Sequence, residues 1–597
     1  MKDQTIYIIK RISIIICVLL MLISASCSES NTGFLEPDTS NDLTNEIVFA
    51  DSAYTYEYQA KLYRDVAFTY FADNGMYAGG LWSWSDLSDD SKQKFTGASQ
   101  IAHFYNMNMI PNADWGRTKE HWKNCYANIF RVNVLLASIN KGPLSMSKKD
   151  QFKAESRFLR AWYYFHLLRL YGGVPLLGDK VYSISEKVEE TRSNFSDVVD
   201  YIVSEMNDVA KILPAQQTGQ DYGRPTSGAA LAAKSRVLLF AASPLSNGKI
   251  PTDDPQLRPL LGYDSYSIER WKEAAVAAKD VMDLNRYSLV EDNETESGHG
   301  FYEMMNQRVN PEYIFMLMKR NYKYYEAMLL PNSRGGQTYS SPFQSLVDAF
   351  LTIDGKMITD PNSKYDSDHP YENRDPRFNY SILYDGAMWI PKSGSSVKER
   401  VNLYFGAASD GLGTSGTGST KTGYLFRKFC NENVTGGSNN NDNVSPFIRY
   451  AEILLNYAEA INESDPAGGK NKIEDALFKI RKRAGIREGA DNRYGLPTIY
   501  NQAKMREIIH NERRIEFAFE EGHRFFDLKR WGELEAVKNN VRFYGIKWSN
   551  PDEGPQKWEP YFVEKQIFAS PKQYYFPIPL SEINIIGPDF LIQNPGW

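Results

Sequence analysis

Apolar positions recur at the spacing of one helix face over 47–71, 118–140, 150–171, 195–213, 226–243 and 268–284, and again over 446–462, 471–484 and 501–540. In 150–171, Phe158, Trp162, Phe165 and Arg169 line one face and Leu159, Tyr163, Leu167 and Leu170 widen it. Gly172-Gly173, with Pro175 beyond, supplies the stop. The next pair starts at Phe195, turns near Pro214 and resumes at Thr226. There Ala229, Ala230, Ala232, Ala233 and Ala241 are small enough for close helix approach. Ala451, Leu455 and Ala458 face Ala476, Ile480 and Ala484 in a later pair of the same kind. One such hairpin cannot bury its apolar side, so neighbours must stack. The expected fold is all-α dominated, with degenerate tetratricopeptide-like helical repeats forming a superhelical scaffold. An all-helical bundle and an α/α toroid are the alternatives.

Between 286 and 445 the helical pattern thins and Gly, Ser, Asn, Tyr and Pro rise. The stretch 406–443 predicts long loops. Its formal GxGxxG at 411–416 has neither a strand before it nor a helix after it, so it carries no dinucleotide-binding reading. The whole region predicts a loop-rich variable face carried on the helices, where ligand-binding residues commonly sit.

Residues 508–532 are both highly charged and strongly apolar. Ile508, Ile509, Ile515 and Phe519 keep helical spacing, while Glu512, Glu516 and Glu520 interleave with Arg513 and Arg514. Such side chains can neutralise one another along one helix. Gly522 fits the position just past the helix end. A second run carries Phe525, Phe526, Leu528 and Trp531 among Arg524, Asp527, Lys529 and Arg530. Two readings are open: a catalytic acid/base cluster, or a partly buried ion-pair lattice locking helices together. The second is favoured, because arginine forks join several segments at once and scaffolds also perturb carboxylates.

The chain opens with Lys2, Lys10 and Arg11, an apolar run from Ile12 to Ile23, and small residues Ser24, Ala25 and Ser26 before Cys27. The run is shorter than the ~20 residues a bilayer span takes. It predicts a lipoprotein-type signal over 1–26, acylation of Cys27 and a polar tether from Ser28. Ser24 stands where an aliphatic residue is preferred, so ordinary cleavage nearby is the alternative. With Cys17 in the signal and Cys27 at the anchor, Cys125 and Cys430 remain. An exported chain permits their pairing, but two buried free thiols are the simpler expectation.

With 68 basic against 74 acidic residues, the net charge of −6 offers no basic stripe for nucleic acid. Aromatic residues make up 13% of the chain, including 38 Tyr and 11 Trp, enough rings for both a core and flat sugar contacts. No two histidines stand at zinc-motif spacing, and no nucleophile elbow or P-loop occurs. No cofactor and no metal are expected. Asp366, Asp368 and the Asn-rich 439–443 invite a calcium reading, with a solvated loop as the simpler one. The leading binding candidate is 79–86. If extended, Trp82, Trp84 and Asp86 share one face, two indoles beside a carboxylate, as a sugar site requires. The competing reading puts both tryptophans in a core. Tyr322, Tyr324, Tyr325 and Trp389 rank second.

NERRIEFAFEEGHRFFDLKRWG, at 511–532, resembles the signature stretch of the SusD/RagB family, surface glycan-binding lipoproteins of Bacteroidetes-type bacteria. Also similar are AESRFLRAWYYFHLLRLYGGVPLL (154–177), GRPTSGAALAAKSRVLLFAAS (223–243), NRDPRF (373–378), RYAEILLNYAEA (449–460), YYFPIPLSEI (574–583) and NPGW (594–597). The resemblance implies a right-handed superhelix of tetratricopeptide units and a variable ligand face drawn from the N-terminal segment and the loops after 286. It implies a lipid-anchored outer-membrane protein, exposed at the cell surface, that acts as a lid on a SusC-like TonB-dependent transporter. It supplies no catalytic residue and no fixed binding motif. The expected parts are the signal 1–26, an N-terminal helical part 27–285, and a C-terminal part 286–597. The last contains the insertion 286–445 and the helices of 446–540, all in one compact body. The expected function is glycan capture and delivery without chemistry, hence no enzyme. A surface carbohydrate-active enzyme (an all-helical hydrolase or lyase) and peptide capture are the alternatives.

Overall fold

Long helices form where the apolar spacing placed them: α1 (Ser52–Arg64), α2 (Gly116–Ser138), α3 (Met146–Tyr171), α4 (Phe195–Ala210), α5 (Ser227–Ala242), α6 (Ile268–Met282), α7 (Tyr450–Ser464), α8 (Lys470–Arg483), α9 (Gln502–Glu516) and α10 (His523–Trp531). They belong to a computed structural model that describes residues 44–64, 66, 83–94, 116–183, 186–318, 324–392, 395–414, 418–435, 444–520 and 522–597. The chain divides into two units, and every element named here lies in the one made of Leu43–Val181 and Lys187–Trp597. Cys27 and the signal lie outside the described residues. No helix among the described residues is long and apolar enough to cross a membrane.

Each helix packs on the next in chain order from α2 to α6. The run then continues from α6 onto α7, and α7 meets both α8 and α9. α3 explains why the rest assembles around it. Its residues from Phe158 to Tyr171 are buried on every side, Arg160, His166 and Arg169 included, so neighbouring elements must surround it. Ser145 caps its start by accepting from the Lys148 N–H. Gly172 ends it at φ 81°, where any Cβ would also overlap the Leu260 carbonyl. In α5, Ala229, Ala230, Ala232, Ala233, Ala241 and Ala242 are buried, and the helix packs closely on both α4 and α6.

The C-terminal segment closes over the end of α3. The Phe576 N–H donates to the Leu170 carbonyl (2.9 Å), and Asn594 Nδ2 donates to Tyr171 O (3.0 Å) and Phe576 O (2.7 Å). Arg192 reaches Ile592 O (2.7 Å), Tyr171 O (2.8 Å) and Gly173 O (2.8 Å), spending its fork on three carbonyls.

Sheets are small, two-stranded and antiparallel. β1 (Ser91–Gln93) pairs with β3 (Ser340–Pro342), β2 (Tyr313–Met318) with β6 (Val444–Arg449), β4 (Ile382–Tyr384) with β5 (Tyr424–Phe426), and β7 (Arg542–Trp548) with β8 (Trp558–Lys565). The helix expected over 446–462 therefore starts only at Tyr450, because the residues before it are claimed by β6. The pattern over 501–540 also breaks. α9 stops at Glu516, Phe519 turns left-handed at φ 62°, and Gly522 opens α10 at φ 76° rather than simply ending the helix before it. The loop-rich region turns out to own a core. Phe350, Phe378, Ile382, Trp389, Tyr424, Phe426 and Phe429 are buried together with Ile515 and Phe519. Cys125 and Cys430 are buried free thiols.

Candidate functional site

The charged stretch is an interior lattice, and its partners come from other elements. Glu516 accepts from Arg377 Nη1 (2.8 Å), Arg449 Nη1 (2.6 Å) and Arg483 Nη2. Glu512 takes Arg377 Nη2 (2.6 Å) and Arg481 Nε (2.9 Å). Glu520 takes a two-pronged Arg449 at 2.8 Å and Lys428 at 2.5 Å. Glu312 closes the ring through Arg449 (2.7 Å) and Arg483 (3.0 Å). The expected neutralisation along one helix is thus replaced by pairing across β6, α8 and the 373–378 turn. Burial alone would raise the Glu516 carboxyl; the guanidiniums of Arg483, Arg449 and Arg377 outweigh it and hold it well below the usual carboxylate range. A neighbouring set joins Arg513 to Asp527 (2.9 Å) and Arg530 to both Asp527 (2.9 Å) and Glu459. These carboxylates are buried and spent on arginines, which is the work of a scaffold.

The same lattice reaches the N-terminal segment. Arg524 grips Asp89 with two bonds (2.8 and 2.9 Å), and Arg514 Nε meets Asp90 (2.8 Å). Just before them in the chain stands the leading binding candidate, described from Ser83 on, and the structure corrects its geometry. Ser83 caps a 3-10 turn over Trp84–Leu87, so Trp84 and Asp86 are not on an extended face. Trp84 is 2% exposed and packs on Phe526 (4.9 Å), Phe525 (5.6 Å) and Phe576 (6.3 Å). A Cβ at position 522 would overlap the Trp84 Cβ, so Gly522 serves both its φ and this approach. Asp86 is fully buried and accepts from the Ser83 N–H (3.0 Å), Ser91 Oγ (2.8 Å) and Ser340 Oγ (2.6 Å). Burial pushes its carboxyl up to about 6 despite these donors. Asp86 ties the N-terminal turn to β3 instead of facing a ligand.

The second-rank candidates divide. Trp389 is fully buried, donates to Val434 O (3.4 Å) and lies under the Arg427 guanidinium (4.9 Å). Tyr325 is buried, stacks on Phe429 (4.9 Å) and shares a hydrogen bond with Ser445 (2.8 Å). Both are core residues. Tyr324 opens the short helix Tyr324–Leu329. Trp82 and Tyr322 lie outside the described residues.

Two polar clusters could be taken for metal sites. Asp366 Oδ1 accepts the Asp368 N–H (2.9 Å) and Oδ2 pairs with His369 Nδ1 (2.7 Å), an exposed turn closed on itself. Asp292, His299 and Glu303 bring one donor atom each within 4.8 Å of one another. There Asp292 already caps its loop, accepting from the Glu294 and Thr295 N–H groups (2.9 Å each), and pairs with His299 (3.0 Å).

Two of the open clefts among the described residues have ample room for a ligand. One of about 800 Å3 lies between the 355–360 loop, the 495–498 turn and the start of α9. The other, of about 560 Å3, lies between the turn after α5, the start of α6, α7, α9 and α10, and has aromatic walls. No sequence motif marks either, since each collects residues from several distant segments.

The family model described as "SusD family" matches residues 287–597, and one described as "Starch-binding associating with outer membrane" matches 39–239. A curated SusD-like protein of Formosa agariphila is 22% identical over 515 residues, covering 86% of each chain. A solved SusD-like protein from Bacteroides fragilis is 25% identical with a TM-score of 0.73, covering 92% of this chain and 98% of its own. A solved laminarin-binding SusD-like protein is 21% identical with a TM-score of 0.59, covering 92% of this chain and 100% of its own.

Proposed function

Because this chain belongs to the SusD family, we propose that it captures a glycan at the cell surface and delivers it, chemically unchanged, to a SusC-like TonB-dependent transporter. Acylated Cys27 holds it to the outer membrane. The observation that carries this reading is the family match over 287–597, joined by the starch-binding match over 39–239. The laminarin named for one structural neighbour favours a polysaccharide over a peptide. The lattice supports capture without turnover: Glu512, Glu516 and Glu520 are locked to arginines in the interior and cannot converge on a glycosidic bond.

Weak contacts suffice for this task. Millimolar binding is only about 4 kcal/mol, and tethering beside a transporter raises the effective concentration. Pairing of β1 with β3 brings the N-terminal segment against the variable region. Trp82, Tyr322 and Tyr324 are the residues assigned to the ligand face.

The test is isothermal titration and affinity electrophoresis of the chain lacking residues 1–27 against a polysaccharide panel, with product analysis of each mixture. Binding without products upholds the reading. Product release makes the protein an enzyme, and failure to bind any polysaccharide ends the glycan reading. For the anchor, Cys27→Ala should move the protein from the membrane fraction to the soluble one, and a large β-barrel should co-purify with the acylated form.

A further inference from the structure

The aromatic cleft of about 560 Å3 falls within the ~300–1,000 Å3 typical of small-molecule sites. Its floor is rigid. Trp531 stacks on His510 with ring centres 3.4 Å apart and planes 8° from parallel, and the indole N–H is fixed to Glu459 (2.8 Å). Burial, then Arg530, keeps the His510 ring neutral, so the floor presents two uncharged planes. One wall is a flat two-pronged pair, Arg506 Nε to Glu463 Oε1 (2.7 Å) with Nη2 to Oε2. Beside it Gln502 is pinned through its amide nitrogen to Asn462 O (2.8 Å), leaving its oxygen directed elsewhere. At the rim, Tyr266 is 60% exposed, an unusual amount for so large a ring.

The lining has unspent hydrogen-bonding capacity. Glu533 lines the cleft half-buried, and its carboxylate makes no hydrogen bond or ion pair among the described residues. Glu463 accepts from one arginine, from Asn462 Nδ2 (2.8 Å) and, at 3.4 Å, from Gln502, where Glu516 holds three arginines, so Glu533 is the freer of the two cleft carboxylates. Arg506 offsets Glu463 and Lys249 stands in the same lining as Glu533, so the cleft carries little net charge to favour an ion of either sign, and a purely apolar guest would strand these groups. A ring with apolar C–H faces and hydroxyls at its edge fits both features: the faces lie on the aromatic planes, and the edge meets Glu533, Gln502 and the Arg506–Glu463 pair.

We infer that this cleft binds a neutral pyranose unit, making a second saccharide site on the helical side of the protein. It is separate from the ligand face assigned to the N-terminal segment and variable loops. The ligand class follows from the lining, so the inference goes beyond the family reading.

The experiment uses the chain lacking residues 1–27 with maltohexaose, laminarihexaose and xylohexaose at millimolar concentration. Affinity is read by titration, and location by hydrogen exchange over 244–271 and 502–533. The variant is Tyr266→Ala with Glu533→Gln, and Tyr266→Phe is the conservative control. The expected result is binding of at least one hexasaccharide, slowed exchange in those segments, about tenfold weaker binding in the double variant and near-normal binding in Tyr266→Phe. Wild-type binding with protection elsewhere and no loss in the double variant overturns the cleft and leaves glycan capture standing. Failure of the wild type to bind any of the three overturns the cleft, whatever polysaccharide panels show. An unchanged melting temperature in the variant confirms that a loss is local.

Discussion

α9 and α10 carry two charged, aromatic environments that look alike in sequence and differ in structure. Around Glu516, each of its carboxylate oxygens is taken by a guanidinium and the side chain is fully buried. In the cleft beside Trp531, a glutamate and an arginine also pair against aromatic rings, yet the pair sits at a wall and Glu533 stands unclaimed. Both settings shift carboxyl groups: burial offset by arginines holds Glu516 low, and burial pushes Glu533 up. A perturbed carboxylate is therefore a poor guide to function in this fold. Hydrogen-bonding capacity left unspent beside solvent is the better one.

The comparison breaks most sharply at Glu516. Glu516→Ala strands Arg377, Arg449 and Arg483 in the interior and should cost about 3–5 kcal/mol. Glu463→Ala, at the cleft wall, should cost about 1 kcal/mol or less. Guanidinium denaturation of the two variants measures the gap, and equal losses would end the distinction. Trp84→Ala comes next. As a core deletion it should cost about 3–5 kcal/mol and lower the melting temperature. A folded, unshifted variant that loses sugar binding would return Trp84 to the ligand face.

Acid sharpens the same contrast. Glu512, Glu516 and Glu520 have folded values below their ordinary 4.5. Their stabilisation is present above that value and is lost as pH falls through the depressed folded values, so the melting temperature should drop steeply below pH ~4.5. Asp86 works in the opposite sense. Its folded value of about 6 exceeds the ordinary 3.8, so its contribution declines as pH rises from 3.8 to 6. Asp86→Asn should flatten that part of the profile. The smallest effect is at Tyr266. Tyr266→Ala, at an exposed rim, should change stability by no more than about 0.5 kcal/mol, while weakening sugar binding.

What was legible in the sequence was local. Apolar spacing located α2 to α8 to within a few residues, because it reports which face must be buried, while 501–540 read as one run that the structure breaks after α9. The charge pattern of 508–532 announced a lattice, but not that Arg377, Arg449 and Arg483 would complete it. Those partners lie in other segments, and pairing across such separations leaves no periodic trace. The alternation Trp82-Ser83-Trp84-Ser85-Asp86 suggested an extended strip. The Ser83 cap turns the chain instead, and Gly522, far along the sequence, makes the space into which Trp84 is drawn. Tyr266 carries no local mark of the cleft, because only Trp271 near it in sequence shares the lining. Its other companions come from the turn after α5, from α7, α9 and α10, and from Glu533.

The clasp on α3 sets the order in which this molecule can be made. Tyr171 waits for Asn594, synthesised 423 positions later, before its carbonyl and the surface around it are closed. A nascent chain halted before Phe576 leaves α3 uncovered at its C-terminal end. Contacts this distant delay completion until almost everything has been produced, and folds dominated by them assemble slowly.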